Sequence, residues 1–79
     1  MEEDISWKEL KLKLNLEENF YQITTSNEIA FDVKFKNGFL LNFIRKTIQW
    51  IYDEKGNKKD YKERDVEDKE DFILCGIAI

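Results

Sequence analysis

Histidine is missing from the sequence, and cysteine occurs only once, as Cys75. Histidine is the commonest general base and the commonest metal ligand, so its absence rules out Ser-His-Asp and Cys-His catalytic groups. A single thiol cannot form an internal disulfide, and without imidazole it cannot complete an ordinary zinc or iron–sulfur site within one chain. We therefore predict a protein that is not an enzyme and that uses no metal and no cofactor.

The few remaining reactive groups give no positive sign of chemistry. Cys75 lies in an apolar run with no basic residue near it in sequence, so we expect an inert thiol buried in the core. The three glycines, Gly38, Gly56 and Gly76, are too far apart to form a phosphate-binding loop. The carboxylates lack the spacing of an EF-hand calcium loop.

Long apolar runs and a basic N-terminal region are also lacking. No stretch approaches the roughly 18–20 apolar residues that cross a bilayer. The first residues include Glu2, Glu3 and Asp4 instead of the positive charges of a secretory signal. Together with the single cysteine, this pattern is typical of a reducing compartment. We expect a cytoplasmic protein that has no membrane segment.

The chain does contain enough apolar material for a folded domain. Hydrophobic residues make up 42% of the sequence and aromatic residues 14%, which is more than disordered chains contain. Proline is absent, and no repeat or Gly/Ser-rich linker divides the sequence. We therefore predict one small globular domain over residues 1–79.

Residues 5–16 support two interpretations. Their leucines alternate with polar residues, as in a half-buried strand. Ser6 and Glu9, however, have the spacing of a helix capping box, and no β-branched residue occurs in residues 7–16, which favours a helix. We predict a helix here, with a strand as the alternative.

Residues 20–36 give the clearest strand signal. Alternation of apolar and polar residues predicts a strand over residues 28–36, and its core face would consist of Ile29, Phe31, Val33 and Phe35. Ser26-Asn27 is typical of a turn, so residues 20–25 should form the preceding antiparallel strand. Asn37-Gly38 predicts a type I′ hairpin turn, followed by a returning strand.

Residues 39–55 fit either a strand or a helix. Apolar residues recur at helical spacing, and Gly56 could follow the end of such a helix. The β-branched and aromatic residues at positions 47–52 favour a strand instead. We predict a strand over residues 39–52, a hairpin loop at residues 53–57 and a short strand at 58–62, with a second helix over 39–55 as the alternative.

The last third of the chain combines a polar segment with an apolar run. Residues 62–71 predict an exposed loop or a short solvated helix, because Val66 is their single apolar residue. Residues 72–79 are an apolar run of strand length, predicted to complete the sheet as a buried central or edge strand. The predicted fold class is α+β, with a small antiparallel sheet of about four or five strands and one N-terminal helix. A mainly-β meander is the alternative.

Charge divides the sequence into three segments. Residues 1–28 carry a net −4, residues 29–62 a net +4 and residues 63–79 a net −4. Carboxylates on a compact domain can occupy a basic groove and speed capture by electrostatic steering. We predict a protein-binding module or inhibitor that acts by surface occupancy on another protein, such as a basic nucleic-acid-binding enzyme. Its binding residues would be Glu63, Asp65, Glu67, Asp68, Glu70, Asp71, Glu2, Glu3 and Asp4.

In length, acidity and lack of reactive groups, the chain resembles small acidic phage proteins that inhibit host nucleases and other defence enzymes. The resemblance includes no motif. It implies an inhibitor that covers a surface of its target and that has no catalytic residues.

Two other functions fit the sequence. The basic middle segment holds most of the aromatic residues, and aromatic rings can stack on bases while Lys and Arg contact phosphates. A single-stranded nucleic-acid-binding protein would use Lys34, Lys36, Arg45, Lys46, Trp50 and Tyr52. In the third hypothesis, residues 72–79 pair across a two-fold axis in a structural homo-oligomer, provided that they lie at a sheet edge.

Overall fold

The computed structural model describes residues 4–79, which form one α-helix and six strands in two antiparallel sheets. Helix α1 (Trp7–Leu14) precedes strands β1 (Tyr21–Ser26), β2 (Ala30–Phe35), β3 (Leu40–Ile44), β4 (Ile48–Tyr52), β5 (Lys58–Glu63) and β6 (Ile73–Ala78). Short 3-10 helices occupy Glu18–Phe20 and Lys69–Asp71. The predicted α+β class is confirmed. Within residues 4–79, no helix has the length and apolar character needed to cross a membrane.

Helix α1 begins at the predicted cap. The Ser6 hydroxyl accepts a hydrogen bond from the Glu9 backbone N–H at 3.1 Å and donates to the Glu9 carboxylate at 3.2 Å. These bonds satisfy an N–H group that has no partner inside the helix. The helix ends where Asn15 adopts a left-handed conformation, with φ of 50°. The helical interpretation of residues 5–16 is therefore confirmed, and the strand alternative is wrong.

Strands β1, β2, β3 and β6 form a four-stranded sheet in that order, and α1 packs on one face of it. Phe43 stacks on Phe31 with ring centroids 5.1 Å apart, and Trp7 of the helix lies 5.2 Å from Phe43. Burial of such rings is the main stabilising contribution in a domain of this size. The other buried members of the core are Val33, Leu41, Val66 and Phe72.

The strand interpretation of residues 39–52 is confirmed for Leu40–Ile44 and Ile48–Tyr52, but one continuous strand is wrong, because the chain leaves the sheet after Ile44. The Arg45 backbone N–H donates to the Ile29 carbonyl at 2.8 Å, and Thr47 accepts from the Arg64 N–H at 2.6 Å. Residues 45–47 thus connect β3 to a separate two-stranded ribbon, formed by β4 and β5. The hairpin loop at residues 53–57 and the strand that follows it are confirmed, whereas the second helix is wrong.

Ile29 was predicted to belong to the core face of β2, but 68% of its surface is exposed. The Asn27 side-chain oxygen accepts from the backbone N–H groups of both Ile29 and Ala30, at 3.0 Å each. These bonds hold residues 27–29 in the turn between β1 and β2, so Ile29 precedes the strand. Phe31 and Val33 are buried, as predicted.

The hairpin at Asn37-Gly38 is present, but the predicted type I′ turn is wrong. Type I′ needs positive φ at both central residues, and only Gly38 has it, with φ of 97°. The Gly38 N–H donates to the Phe35 carbonyl at 3.0 Å, and the Phe35 N–H donates to Phe39 at 2.8 Å. This pattern is a three-residue loop in which the glycine takes the left-handed position.

Cys75 was predicted to be buried, but its side chain is exposed. The register of β6 against β3 shifts, from Phe43 opposite Leu74 to Asn42 opposite Gly76, so Cys75 is an extra residue without a cross-strand partner. This bulge leaves both Leu74 and Ile77 opposite core residues, while Cys75 lies outside the core.

Candidate partner-binding surfaces

The acidic segment, residues 63–71, is fixed to the body of the protein by Val66. The Val66 side chain is buried in the core with 1% exposure, and its carbonyl accepts a hydrogen bond from the Arg45 side chain. Val66 therefore places the residues on both sides of it at the surface. Glu63, Asp65, Glu67, Asp68 and Asp71 are exposed.

Four polar side chains of the acidic segment have structural partners, among them Arg64, which donates to the Asp71 carbonyl at 3.3 Å. Glu70 forms an ion pair with Lys11 of α1, at 2.6 Å. Asp68 caps the short helix that follows it by accepting from the Glu70 N–H at 3.0 Å. Lys69 contacts the Ser26 hydroxyl at the end of β1. Glu70 and Asp68 thus help to hold the segment in place, in contrast to the freely solvated carboxylates that the sequence suggested.

The acidic residues predicted at the start of the chain are only partly described. Asp4 forms an ion pair with Lys46 at 3.0 Å. Glu2 and Glu3 lie outside the described residues. The Lys46 pair places Asp4 beside the connection between β3 and β4.

The residues predicted to bind nucleic acid do not form one surface. Lys34 and Lys36 line a shallow hollow beside β1 with Glu18 and Tyr21. Arg45 and Lys46 lie in the connection after β3, where each is bonded to another group, Val66 and Asp4 respectively. Trp50 and Tyr52 lie on the ribbon.

The ribbon of β4 and β5 carries an exposed aromatic pair. Trp50 lies directly opposite Tyr61, with ring centroids 5.5 Å apart, and the Lys58 Nζ lies 4.5 Å from the Trp50 ring. We call the face that carries these three residues the aromatic face of the ribbon. Trp50 is 38% exposed and Tyr61 is 51% exposed.

The ribbon has little support from the rest of the molecule. Neither β4 nor β5 has extensive contact with the helix or with the four-stranded sheet, and the molecule is elongated, at 40 × 25 × 21 Å. Two further apolar residues of the ribbon, Ile48 and Ile51, are 41% and 43% exposed. Sequence reasoning identified Trp50 and Tyr52 but missed Tyr61, although Trp50 and Tyr61 lie on opposite sides of the predicted hairpin loop.

A second apolar surface lies between α1 and the part of the four-stranded sheet that includes β3 and β6. A groove of about 410 Å³ is lined almost entirely by apolar side chains, namely Leu10, Leu14, Leu16, Phe35, Asn37, Phe39, Leu41, Leu74 and Ile77. Ile77 of β6 is 66% exposed and Leu14 of α1 is 57% exposed. Sequence reasoning missed this groove, because the apolar pattern does not show which side chains of the helix and the strands remain uncovered after they pack together.

Among residues 4–79, no group of three His, Cys, Asp or Glu side chains is placed to hold a metal ion. No family model, no curated protein and no solved structure matches this chain. The acidic segment, the aromatic face of the ribbon and the apolar groove are therefore the features that bear on function.

Proposed function

We propose that this protein is a protein-binding module that acts by surface occupancy, through the aromatic face of the ribbon and the exposed carboxylates of the adjoining acidic segment. One observation carries the proposal: Trp50 and Tyr61 pair on a ribbon that projects from the core with little support. Folding leaves part of the apolar surface of both rings exposed to water, so a partner could bury it.

The composition of the ribbon suits a protein interface. Tryptophan and tyrosine are the residues most enriched among those that dominate binding energy, because they bury a large apolar area with few rotatable bonds. A two-stranded ribbon is marginally stable alone in water, so contact with a partner would order it further. Ile48 beside Trp50 would extend the apolar contact.

The exposed carboxylates of the acidic segment favour a partner with basic residues. It begins at Glu63, the last residue of β5, so its carboxylates continue directly from the ribbon. Within residues 4–79, no ion pair involves Glu63, Asp65 or Glu67. A partner with a basic rim around an apolar pocket would complement both surfaces, and opposite charge would accelerate their association. More specifically, we propose that the protein is an inhibitor that occupies the basic groove of a nucleic-acid-binding enzyme.

Affinity capture from the native host, followed by mass spectrometry, tests this proposal with two matched pairs of variants. Glu63→Lys with Asp65→Lys should abolish capture of the partner, whereas Glu17→Lys with Glu18→Lys changes the net charge equally and should not. Trp50→Ser with Tyr61→Ser should also abolish capture, whereas Leu12→Ser with Ile29→Ser, at exposed apolar positions outside the ribbon and the groove, should retain it. Equal capture by the wild-type chain and by both ribbon and acidic variants would refute the proposal.

Single-stranded nucleic acid is the second candidate ligand, and the position of Lys58 over Trp50 favours it. An ammonium beside an exposed ring could contact a phosphate while a base stacks on the aromatic face. Four lysines and four carboxylates balance one another over residues 48–63, which weakens this candidate. Titration of a fluorescent oligonucleotide separates the two functions: affinity should fall steeply with salt if phosphates are bound, and no binding at low salt would exclude this candidate.

A further inference from the structure

The outer edge of β6 is covered over only half of its length. On one side β6 pairs with β3, which leaves it at the edge of the sheet. On its other side, the Leu74 N–H donates to the Ile5 carbonyl at 2.9 Å and the Trp7 N–H donates to Phe72 at 3.0 Å. Among the backbone hydrogen bonds of residues 4–79, none reaches this edge beyond Leu74. The open edge therefore runs over residues 75–79.

This open edge lacks the usual protection against strand pairing. Edge strands normally carry charged side chains or proline, which prevent a second chain from adding to the sheet. Residues 72–79 contain neither, and Ile77 and Ile79 are 66% and 97% exposed. The opposite edge strand, β1, also contains no charged residue or proline, but Gln22 and Thr25 make it more polar than β6.

Charge argues for a second copy of this chain as the occupant. Each copy carries a net −4, which opposes association through the acidic segments, whereas a face whose side chains are uncharged adds no like-charge repulsion. The side chains of the open edge are all uncharged, and the groove beside it is lined without a single charged side chain. A basic partner, by contrast, would find no acidic side chain there.

We propose that two copies pair antiparallel through the open edges of β6, which joins their four-stranded sheets into one continuous sheet. A two-fold axis perpendicular to the sheet places one residue opposite its own copy. The centre of the open edge is Ile77, and pairing about it uses residues 75–79 of both copies and stops where Ile5 begins to cover the edge. Ile77 lies opposite the core residue Leu41, so both isoleucines would extend the apolar groove across the axis.

Analytical ultracentrifugation over a range of concentrations tests the pairing. The wild-type chain should show a reversible monomer–dimer equilibrium. Ile77→Lys should weaken the dimer by roughly a hundredfold or more, because each dimer would bring two lysines together at the axis. Ile23→Lys on β1 is the matched control, since Ile23 is 47% exposed on the other edge of the sheet, and it should leave the dimer unchanged.

Crosslinking tests the register. Residues directly opposite in antiparallel strands have Cα atoms about 4.5–5.5 Å apart, which is within reach of a disulfide. Ile77→Cys in a Cys75→Ser background should therefore form an intermolecular disulfide on mild oxidation, whereas Ile23→Cys in the same background should not. A wild-type chain that sediments as a monomer at every concentration would overturn the dimer. A dimer that persists in Ile77→Lys and does not crosslink through Ile77→Cys would also overturn pairing at this edge. Both tests are independent of the proposed binding of a basic partner by the ribbon.

Discussion

Lys11 of helix α1 and Glu70 of the acidic segment form an ion pair, with 2.6 Å between Nζ and Oε1. The same ammonium lies 5.1 Å from the centroid of the Trp7 ring. Residues 59 positions apart in sequence thus connect the helix that covers the core to the segment whose carboxylates we propose to contact a partner. Glu70 therefore belongs to the support of the proposed binding surface.

A double-mutant cycle with Lys11→Met and Glu70→Gln should give a coupling free energy of about 0.2–1 kcal/mol in urea denaturation. The value is small because the two side chains are 25% and 41% exposed, so that water and salt screen the pair. The coupling should decrease further as salt is added. Lys13→Met with Glu70→Gln is the control, and it should show no coupling. A coupling above about 2 kcal/mol would show that the pair is desolvated.

Replacement of Phe43 should test the aromatic centre of the core. Phe43 is 0% exposed and contacts both Phe31 and Trp7, so Phe43→Ala removes a large apolar group and leaves a cavity. We expect a loss of about 3–5 kcal/mol in the free energy of unfolding, measured by urea denaturation. Phe20→Ala makes the same chemical change at a residue that is 48% exposed and should cost less than half as much. Equal losses would contradict the assigned core.

The local patterns in the sequence predicted most of the elements. Ser6 and Glu9 identified the start of α1, alternation identified the core positions Phe31 and Val33, and turn residues identified the hairpins. Each of these signals acts over a few residues, so no long-range information is needed to interpret it.

Tertiary arrangement accounts for what the sequence could not predict. Nothing in residues 39–52 shows that the chain leaves the sheet at Arg45, because that break depends on hydrogen bonds to Ile29 and from Arg64, which are distant in sequence. The bulge at Cys75 likewise depends on the register of β6 against β3. The aromatic face and the apolar groove were not predicted as surfaces for the same reason: the first needs Trp50 and Tyr61 brought opposite one another, and the second depends on how α1 packs on the sheet.

The two glycine loops should respond alike to substitution, because they share one hydrogen-bond pattern. Gly56 donates to the Asp53 carbonyl at 3.1 Å, as Gly38 does to Phe35, and its φ is 83°. A Cβ at either glycine would meet nothing within 4 Å, so the cost of alanine comes from the left-handed backbone alone. We expect Gly38→Ala and Gly56→Ala each to lose about 1–2 kcal/mol in thermal or urea unfolding.

Asparagine at the same two positions supplies the control for this prediction. Asn tolerates the left-handed region better than Ala does, so Gly38→Asn and Gly56→Asn should each cost less than the alanine variant. Alanine variants as stable as the wild-type chain would show that these loops do not need positive φ.

The thiol of Cys75 should react with a disulfide reagent such as DTNB in the native protein, because the bulge in β6 leaves its side chain exposed. We expect one equivalent of thiol to react without denaturant, equal to the amount that reacts in urea, since exposure allows reagent access without unfolding. Val33→Cys in a Cys75→Ser background is the matched control. Val33 is 0% exposed in the core, so a thiol there should react only as fast as the chain opens. If Cys75 reacted as slowly as this buried control, its side chain would have to face the core. The observed register, in which Leu74 lies opposite Phe43 and Ile77 opposite Leu41, would then be wrong.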